Sequence, residues 1–301
     1  MFTQKRATQF CSLALAFFLI SVSTFAQDFS KVEVQTIKIS ESIHMLLCGG
    51  GNMGISAGED GVLVIDTSYA EMYEKIKAAV KEISDKPVQY VISTHQHFDH
   101  VNGNELFAQS GATIVAHENV RKGMEVDWIY PAFPKVEAYP GMALPILTYN
   151  ESLFIHFNGE DIHIFHLGDG HTNGDSIVHF TKSNVVHMGD LYFNGGYPFI
   201  DVPHGGTVEG IIVALDHVIG MINDDTKVIP GHGPLSNRAE LKKYRDMLVT
   251  VKDRVKNLIK QGKTLKEVIT SKPTSDFDKV PPGMMPPDFF VKILYEDLSR
   301  K

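Results

Sequence analysis

Apolar runs and alternating apolar and polar positions near the start of the chain predict strands. We expect strands over residues 32–39, 42–48 and 61–66. In a strand with one buried face, apolar and polar side chains alternate, whereas a strand buried on both faces is apolar throughout. Residues 69–83 predict a helix, since their apolar side chains recur every three or four positions on one face. A further strand is predicted over 88–93, and it ends directly before a polar segment.

The rest of the chain continues with the same two patterns. Further strands are predicted at 112–116, 152–157, 161–167, 176–180, 185–188 and 227–229, and helices at 102–109, 117–123, 207–221, 236–260 and 286–298. Asn158 and Gly159, between two of these strands, are typical of a tight hairpin. Ser236 is the predicted N-cap of the longest helix, and Thr264 of a shorter one that follows. This order of elements suits two β-layers sandwiched between helices.

Residues 127–148 break both patterns. Their aromatic and aliphatic side chains are interleaved with four prolines, which disfavours both a helix and a long strand. An apolar irregular loop of this kind is either a lid over a site or a strap packed on the core. We favour the lid, because long loops are more often functional than idle.

Residues 1–26 are predicted to be a signal peptide. Lys5 and Arg6 precede an apolar run over 13–22, and small residues before Gln27 suit a cleavage site. The apolar run is short for a membrane span, so an uncleaved anchor is the less favoured alternative. We therefore expect export to the periplasm or the exterior, with no membrane attachment after cleavage.

The mature chain, residues 27–301, is expected to form a single domain. Of the 301 residues, 43% are hydrophobic and 21% are charged, as is typical of a globular protein. Removing the signal peptide takes away two of the 28 basic residues and none of the 36 acidic ones, so the net charge becomes −10. This charge argues against nucleic acid and anionic lipid as partners. A small-molecule substrate is the expected partner.

One cysteine, Cys48, remains after cleavage. An intramolecular disulfide is therefore excluded even in an oxidising compartment. Cys48 ends an apolar run over 43–48, which favours a buried structural thiol over a catalytic or metal-binding one.

The most informative segment, residues 94–100, directly follows a predicted strand. It contains His95, His97, Asp99 and His100 within six positions. Neutral imidazole and carboxylate groups are good ligands for zinc and similar divalent ions. Four of them at a strand end, where a loop can orient them separately, predict a metal site and not a solvated turn.

Three later loops each add one candidate ligand after a predicted strand. These are His171, Asp190 and His232, and glycines flank each of them. Glycine lets the backbone bend, so each side chain can point into a common pocket. A single histidine in a glycine-rich turn is usually not a ligand, but three such loops together predict that the site is completed by them.

With the motif HxHxDH at 95–100, followed by His171, Asp190 and His232, the chain resembles the metallo-β-lactamase-fold hydrolase superfamily over roughly residues 32–260. The resemblance implies an α/β (α+β) protein with an αββα four-layer sandwich. It also implies two metal ions, the first held by His95, His97 and His171, the second by Asp99, His100 and His232, with Asp190 bridging them.

The same resemblance implies a hydrolase. Zinc is the expected ion for so many imidazoles, with manganese and iron as alternatives. Two dications roughly 3.5–4 Å apart lower the pKa of a shared water toward ~7, so a metal-bound hydroxide can attack a carbonyl- or phosphoryl-type bond. Asp99 would orient this hydroxide and is the expected catalytic residue.

The ligand set also separates the alternatives. The best-known β-lactamases of this superfamily have cysteine at the position of Asp190, and their lysine for the lactam carboxylate has no match in residues 191–194. A weak or promiscuous β-lactamase is the first alternative, followed by a lactonase or thioesterase. A mono-iron persulfide dioxygenase would not need both His100 and His232. An inactive metal-stabilised binding protein would be expected to have lost ligands.

Weaker predictions concern the surroundings of the site. Tyr192, Asn194 and Tyr197 follow the bridging aspartate and are predicted to line the substrate pocket. Asp66 ends a predicted strand, where it would accept a hydrogen bond from a ligand imidazole. His204 is expected to serve the start of a helix and not the site.

Overall fold

The computed structural model describes residues 28–131, 133–279 and 285–300, and within these ranges seven strands form a first sheet in chain order. They are β1 (Gln35–Lys38), β2 (Ile43–Leu47), β3 (Met53–Gly58), β4 (Gly61–Ile65), β5 (Val88–Ser93), β6 (Thr113–His117) and β7 (Leu147–Tyr149). Strands β1 to β4 pair antiparallel, whereas β4 to β7 pair parallel. Each parallel pair requires a crossover connection, and helices supply these connections.

A second sheet of six strands forms from the later part of the described chain. Its strands are β8 (Ser152–Phe157), β9 (Glu160–Phe165), β10 (Ile177–Phe180), β11 (Val185–His187), β12 (Lys227–Ile229) and β13 (Ser236–Asn237), in the spatial order β13-β12-β11-β10-β9-β8. The pairs are antiparallel except β11 and β12, which are parallel.

Helices connect these strands and cover the sheets. They are α1 (Tyr73–Ile83), α2 (Phe98–Val101), α3 (Asn104–Gln109), α4 (Glu118–Met124), α5 (Val208–Met221), α6 (Arg238–Lys260), α7 (Leu265–Thr270) and α8 (Pro287–Leu298). Short 3-10 helices occur at Phe29–Lys31, Ala70–Met72, Gly141–Ala143, Gly189–Leu191 and Val202–His204. Within the described ranges, no helix is both long and apolar enough to span a membrane.

Strand β4 shows how the layers are built. Successive side chains of a strand point to opposite faces, so Leu63 and Ile65 enter the core between the two sheets. Val62 and Val64 instead pack toward α1 on the outer side. A third cluster joins the other sheet to α5, α6 and α8. The protein is therefore a helix–sheet–sheet–helix sandwich, which confirms the predicted α/β class and architecture.

Several local predictions differ from the structure. The sequence pattern does not predict β3, because Gly54 and Gly58 interrupt its apolar run. Ser236 is not the N-cap of α6: it lies in β13, and the side chain of Asn237 accepts a hydrogen bond from the backbone of Glu240 at 3.1 Å. The capping prediction for Thr264 is confirmed, since it forms a capping box with Glu267.

Cys48 is buried and makes no disulfide, as predicted. The signal peptide predicted for residues 1–26 lies outside the described residues.

Candidate metal centre

The seven predicted ligands meet where strands end at one edge of the sandwich. They form two groups, and within each group the candidate ligand atoms all lie within 4.8 Å of one another. The first group contains His95, His97, His171 and Asp190, and the second contains Asp99, His100 and His232. The loops after β5, β9, β11 and β12 supply these side chains. Residues separated by up to 137 positions in sequence thus form one cluster, although they share no local structure.

Within the first group, His97 Nδ1 and His171 Nε2 are 2.7 Å apart, a hydrogen-bond distance. Oδ2 of Asp190 lies 3.5 Å from His171 Nε2 and 3.8 Å from His95 Nε2. One nitrogen of each imidazole therefore faces the same point, which is the arrangement a metal ligand set requires.

The second group surrounds the other side of Asp190. His232 Nε2 lies 3.2 Å from Asp99 Oδ2 and 3.4 Å from His100 Nε2. Oδ1 of Asp190 is 3.0 Å from His100 Nε2, and its Oδ2 is 3.4 Å from His232 Nε2. Asp190 therefore stands between the two groups and contacts both, as a bridging carboxylate would.

These separations fit divalent metals. Four ligands at about 2.1 Å from a zinc ion form a tetrahedron with edges of roughly 3.4 Å, close to most of the distances above. His95 Nε2 is also buried without a hydrogen-bond partner among the described residues. Burying an unpaired polar atom is unfavourable, and a bound cation would remove that penalty. The donor set thus fits the group that the motif implies.

Three of the ligand imidazoles are oriented as follows by a partner on the nitrogen that faces away from the centre. Asp66 Oδ2 lies 2.7 Å from His100 Nδ1, as predicted from the sequence. Thr94 Oγ1 lies 3.0 Å from His95 Nδ1, and the carbonyl oxygen of Phe199 lies 2.7 Å from His171 Nδ1. Such outer contacts fix the ring orientation and decide which nitrogen is free to bind a metal.

Asp201, which orients His97, is not predicted from the sequence. Its Oδ2 lies 2.8 Å from His97 Nε2 and also accepts the indole N–H of Trp128 at 2.7 Å. Oδ1 lies 2.7 Å from His204 Nδ1. The only signal in the sequence is an acid within an otherwise apolar stretch, and this does not indicate which side chains it reaches.

The pKa values of His95 and His171 in the first group are shifted in the opposite direction to that of His232 in the second. Burial lowers the pKa of His171 to about 4 and that of His95 well below its usual range. Burial also acts to lower the pKa of His232, but the carboxylates of Asp190 and Asp99 outweigh it and raise the pKa to about 9. His95 and His171 are therefore neutral near pH 7, the form of imidazole that binds metals.

Glycine is required at two close approaches to the ligands. A Cβ atom on Gly51 would overlap the ring of His100, and one on Gly231 would overlap Oδ1 of Asp190. No side chain can be accommodated at either position without moving the ligand. The backbone itself thus forms part of the wall of the centre.

A pocket of about 150 Å³ opens over the centre. It is lined by His97, Asp99, Asp190 and His232 together with Tyr69, Phe98, Trp128, Phe133, Phe193 and Phe199. Trp128 and Phe133 come from the irregular segment over 127–148. Their position over the ligands supports the interpretation of that segment as a lid.

The predicted substrate-binding residues do not line this pocket. Tyr192, Asn194 and Tyr197 instead line a separate cavity of about 350 Å³ beside α6. The Tyr192 hydroxyl is 2.7 Å from Ser236 Oγ, and the Tyr197 hydroxyl donates to Asp278 at 3.0 Å. The structure therefore places these three residues at a different cavity from the one over the candidate ligands, where both tyrosine hydroxyls are hydrogen-bonded.

The chain is similar in sequence to several known proteins. The chain is 28% identical to a probable hydroxyacylglutathione hydrolase of Schizosaccharomyces pombe over 162 residues, which is 52% of each protein. It is 23% identical to a metallo-beta-lactamase of Chryseobacterium indologenes over 230 residues, covering 73% of this chain and 91% of that protein.

Solved structures share the fold at low sequence identity. A sec-alkylsulfatase from Pseudomonas sp. matches with a TM-score of 0.67 and 16% identity, over 87% of this chain and 50% of that one. A metallo-beta-lactamase from Pontibacter korlensis matches with a TM-score of 0.60 and 18% identity, over 72% and 99%. The chain spans about half the length of the hydroxyacylglutathione hydrolase and of the alkylsulfatase.

The model of a protein family matches more than half of the chain. Its description is "Metallo-beta-lactamase superfamily", and the match runs over residues 46–233. This range contains all seven converging side chains. The chain belongs to the metallo-beta-lactamase superfamily.

Proposed function

We propose that the protein is an exported, binuclear zinc-dependent hydrolase that cleaves a carbonyl- or phosphoryl-type bond in a small molecule. The observation that carries this proposal is the convergence of seven ligand-type side chains, with His95 Nε2 buried and without any hydrogen-bond partner among the described residues. The named hydrolases among its relatives support the same reaction class.

Each of the seven candidate ligands has a proposed role. His95, His97 and His171 would hold one ion, Asp99, His100 and His232 the other, and Asp190 would contact both. Two bound dications would lower the pKa of water and polarise the oxygen of the bond under attack. Asp99 is 18% exposed and faces the pocket, so its carboxylate can orient the attacking water and accept its proton.

A β-lactamase is the second candidate. The relative from Chryseobacterium indologenes, named as such an enzyme, is matched over 91% of its length. Against efficient lactam cleavage, none of the described residues that line the pocket is a lysine or arginine that could bind the lactam carboxylate. Lactone and thioester hydrolysis rank next, and export makes an intracellular thioester the less suitable substrate.

The test combines metal analysis with a substrate panel. We expect two zinc ions per chain by mass spectrometry and metal-dependent cleavage of at least one chromogenic lactam, lactone, aryl ester or phosphodiester. A single iron per chain would instead favour a persulfide dioxygenase.

Two histidine variants provide the matched comparison. His97→Ala should reduce every detected activity by at least 100-fold, because the loss of a ligand disrupts the metal site. His156→Ala removes an imidazole that is 74% exposed and paired with Asp161 on the surface, and it should be neutral. Full activity in H97A would disprove the proposed centre.

Export is tested separately. Expression of the full chain followed by fractionation and N-terminal sequencing should yield a soluble exported protein that begins at Gln27. A product that retains residues 1–26 and stays in the membrane fraction would contradict this part of the proposal.

A further inference from the structure

The pocket over the centre is walled mainly by aromatic rings. Beyond the four ligands, all of its described lining residues are aromatic: Tyr69, Phe98, Trp128, Phe133, Phe193 and Phe199. Several of the rings contact one another, since the Phe133 ring lies 5.9 Å from that of Trp128 and 5.2 Å from that of Phe199. Trp128 and Phe199 lie 5.5 and 5.7 Å from the His97 ring, and Phe193 stacks on His232 at 5.0 Å. A group that enters this pocket therefore meets ring faces and edges on most sides.

Apart from the candidate metal centre, the pocket offers no counterion for an anionic substituent. None of its described lining residues is a lysine or arginine, while Asp99 and Asp190 are both present. The faces of aromatic rings are themselves electron-rich and disfavour anions. A cationic substituent finds no free counterion either, because oxygens of Asp99 and Asp190 already face His100 and His232 at 3.0–3.4 Å. An uncharged group suits the pocket best.

The size of the pocket limits that group. Its volume is about 150 Å³, and an apolar cavity of roughly this size accommodates a benzene-sized molecule. Phe133 is 37% exposed and lies at the rim, whereas Trp128 and Phe199 are buried. Phe133 thus lies at the opening, and the volume suffices for one ring or a short branched alkyl chain.

We propose that the substrate is an uncharged carboxylic ester, open or cyclic, whose acyl part carries a single aromatic ring or a branched alkyl group of similar size. This inference rests on the proposed hydrolase function, from which it takes the bond that is cleaved. Water adds its hydroxyl to the acyl carbon and its remaining proton to the alcohol oxygen, so the acyl C–O bond breaks and an acid and an alcohol form. The aromatic wall holds the acyl group beside the ligands.

Three methyl phenylacetates that differ only at the para position test the charge preference. One is unsubstituted, one carries a sulfonate and one a trimethylammonium group, and the zinc-loaded protein is assayed with each. We expect kcat/KM for the neutral ester to exceed that of each charged ester at least tenfold. Equal or faster cleavage of either charged ester would overturn the inference.

Binding of a ketone separates this inference from the proposed function. Benzyl methyl ketone has no bond to hydrolyse, and calorimetry gives its affinity and that of its para-sulfonate. Tighter binding of the neutral ketone without cleavage of any ester would reject the hydrolase proposal while the pocket assignment stands. Equal or tighter binding of the sulfonate would reject the pocket assignment even if esters are cleaved.

A charge introduced at the rim locates the binding site. Phe133→Lys should raise the ratio of sulfonate to neutral ester cleavage by at least tenfold, because it provides the missing counterion. Phe154→Lys is the matched control, since Phe154 is 54% exposed on β8 and does not line the pocket. It should leave the ratio unchanged. If both variants leave the ratio unchanged, the acyl group does not bind where we place it.

Discussion

The indole nitrogen of Trp128 donates a hydrogen bond to Asp201 at 2.7 Å. The same carboxylate oxygen of Asp201 lies 2.8 Å from Nε2 of His97. One buried oxygen atom therefore contacts both Trp128, which lines the pocket, and His97, a candidate metal ligand. Because the two contacts share this oxygen, the orientation of His97 is linked to the position of Trp128 in the segment over 127–148.

Replacement of Asp201 by asparagine should weaken metal binding without unfolding the protein. The amide keeps the shape of the carboxylate but loses its charge, so it holds His97 less firmly in the orientation that exposes Nδ1. Loss of such an outer contact typically lowers metal affinity about 10–100-fold. Competition with a chromophoric chelator measures this change.

Asp161→Asn is the control for that experiment. It alters a similar contact between a carboxylate and an imidazole, since Asp161 Oδ1 lies 2.7 Å from His156 Nδ1 on the surface. Metal affinity should be unchanged. An equal loss in both variants would mean that Asp201 acts through general stability and not through His97.

Gly51→Ala should disturb the second metal position. A Cβ atom at Gly51 would overlap the His100 ring, so His100 has to move away from Asp190. We expect the metal content to fall from two ions toward one per chain. Gly141→Ala serves as the control because a Cβ there meets no atom within 4 Å. Two ions per chain in G51A would show that the ring can shift without loss of ligation.

Cys48 should resist modification in the folded protein. Thiol reagents attack the thiolate, and burial raises the pKa of Cys48 above its ordinary value, so less thiolate is present at any given pH. In the chain without residues 1–26, where Cys48 is the single thiol, Ellman's reagent should react at pH 8 only after denaturation. Rapid reaction in the native protein would place the thiol at the surface.

Asn237→Ala should destabilise the protein by about 1 kcal/mol, as is usual for loss of an N-cap side chain. Its Oδ1 accepts the Glu240 backbone N–H at the start of α6. Asn257→Ala makes the same substitution at an exposed position inside that helix, where alanine is the better helix former. Urea denaturation compares the two. A loss in N257A as large as in N237A would rule out the capping explanation.

Much of the fold follows from local patterns in the sequence. The parallel strand β5 is predicted with its exact bounds, Val88–Ser93, because its apolar residues end abruptly at the polar ligand segment. Strand β3 escapes prediction because its stability comes from pairing with β2 and β4, and its own residues include two glycines. Its formation therefore depends on neighbours that a local pattern does not represent.

The candidate site, like the fold, is only partly predictable from the sequence. The positions of the converging side chains follow from a motif and from glycine-rich strand ends, so they are predictable. The contacts of Asp201 depend on the path of a loop through space, and nothing in the spacing of residues gives that path. Tyr192 and Tyr197 follow Asp190 by two and seven positions in sequence. Their hydroxyls nevertheless point to Ser236 and Asp278. Sequence proximity to a ligand did not determine side-chain direction.

Trp128 is the only tryptophan in the sequence. Its ring is centred 5.5 Å from that of His97 and forms part of the pocket wall. The tryptophan fluorescence of this protein consequently originates in one indole at the candidate centre. Emission intensity and wavelength should therefore follow zinc loading and ligand entry directly, with no attached dye and no background from other indoles.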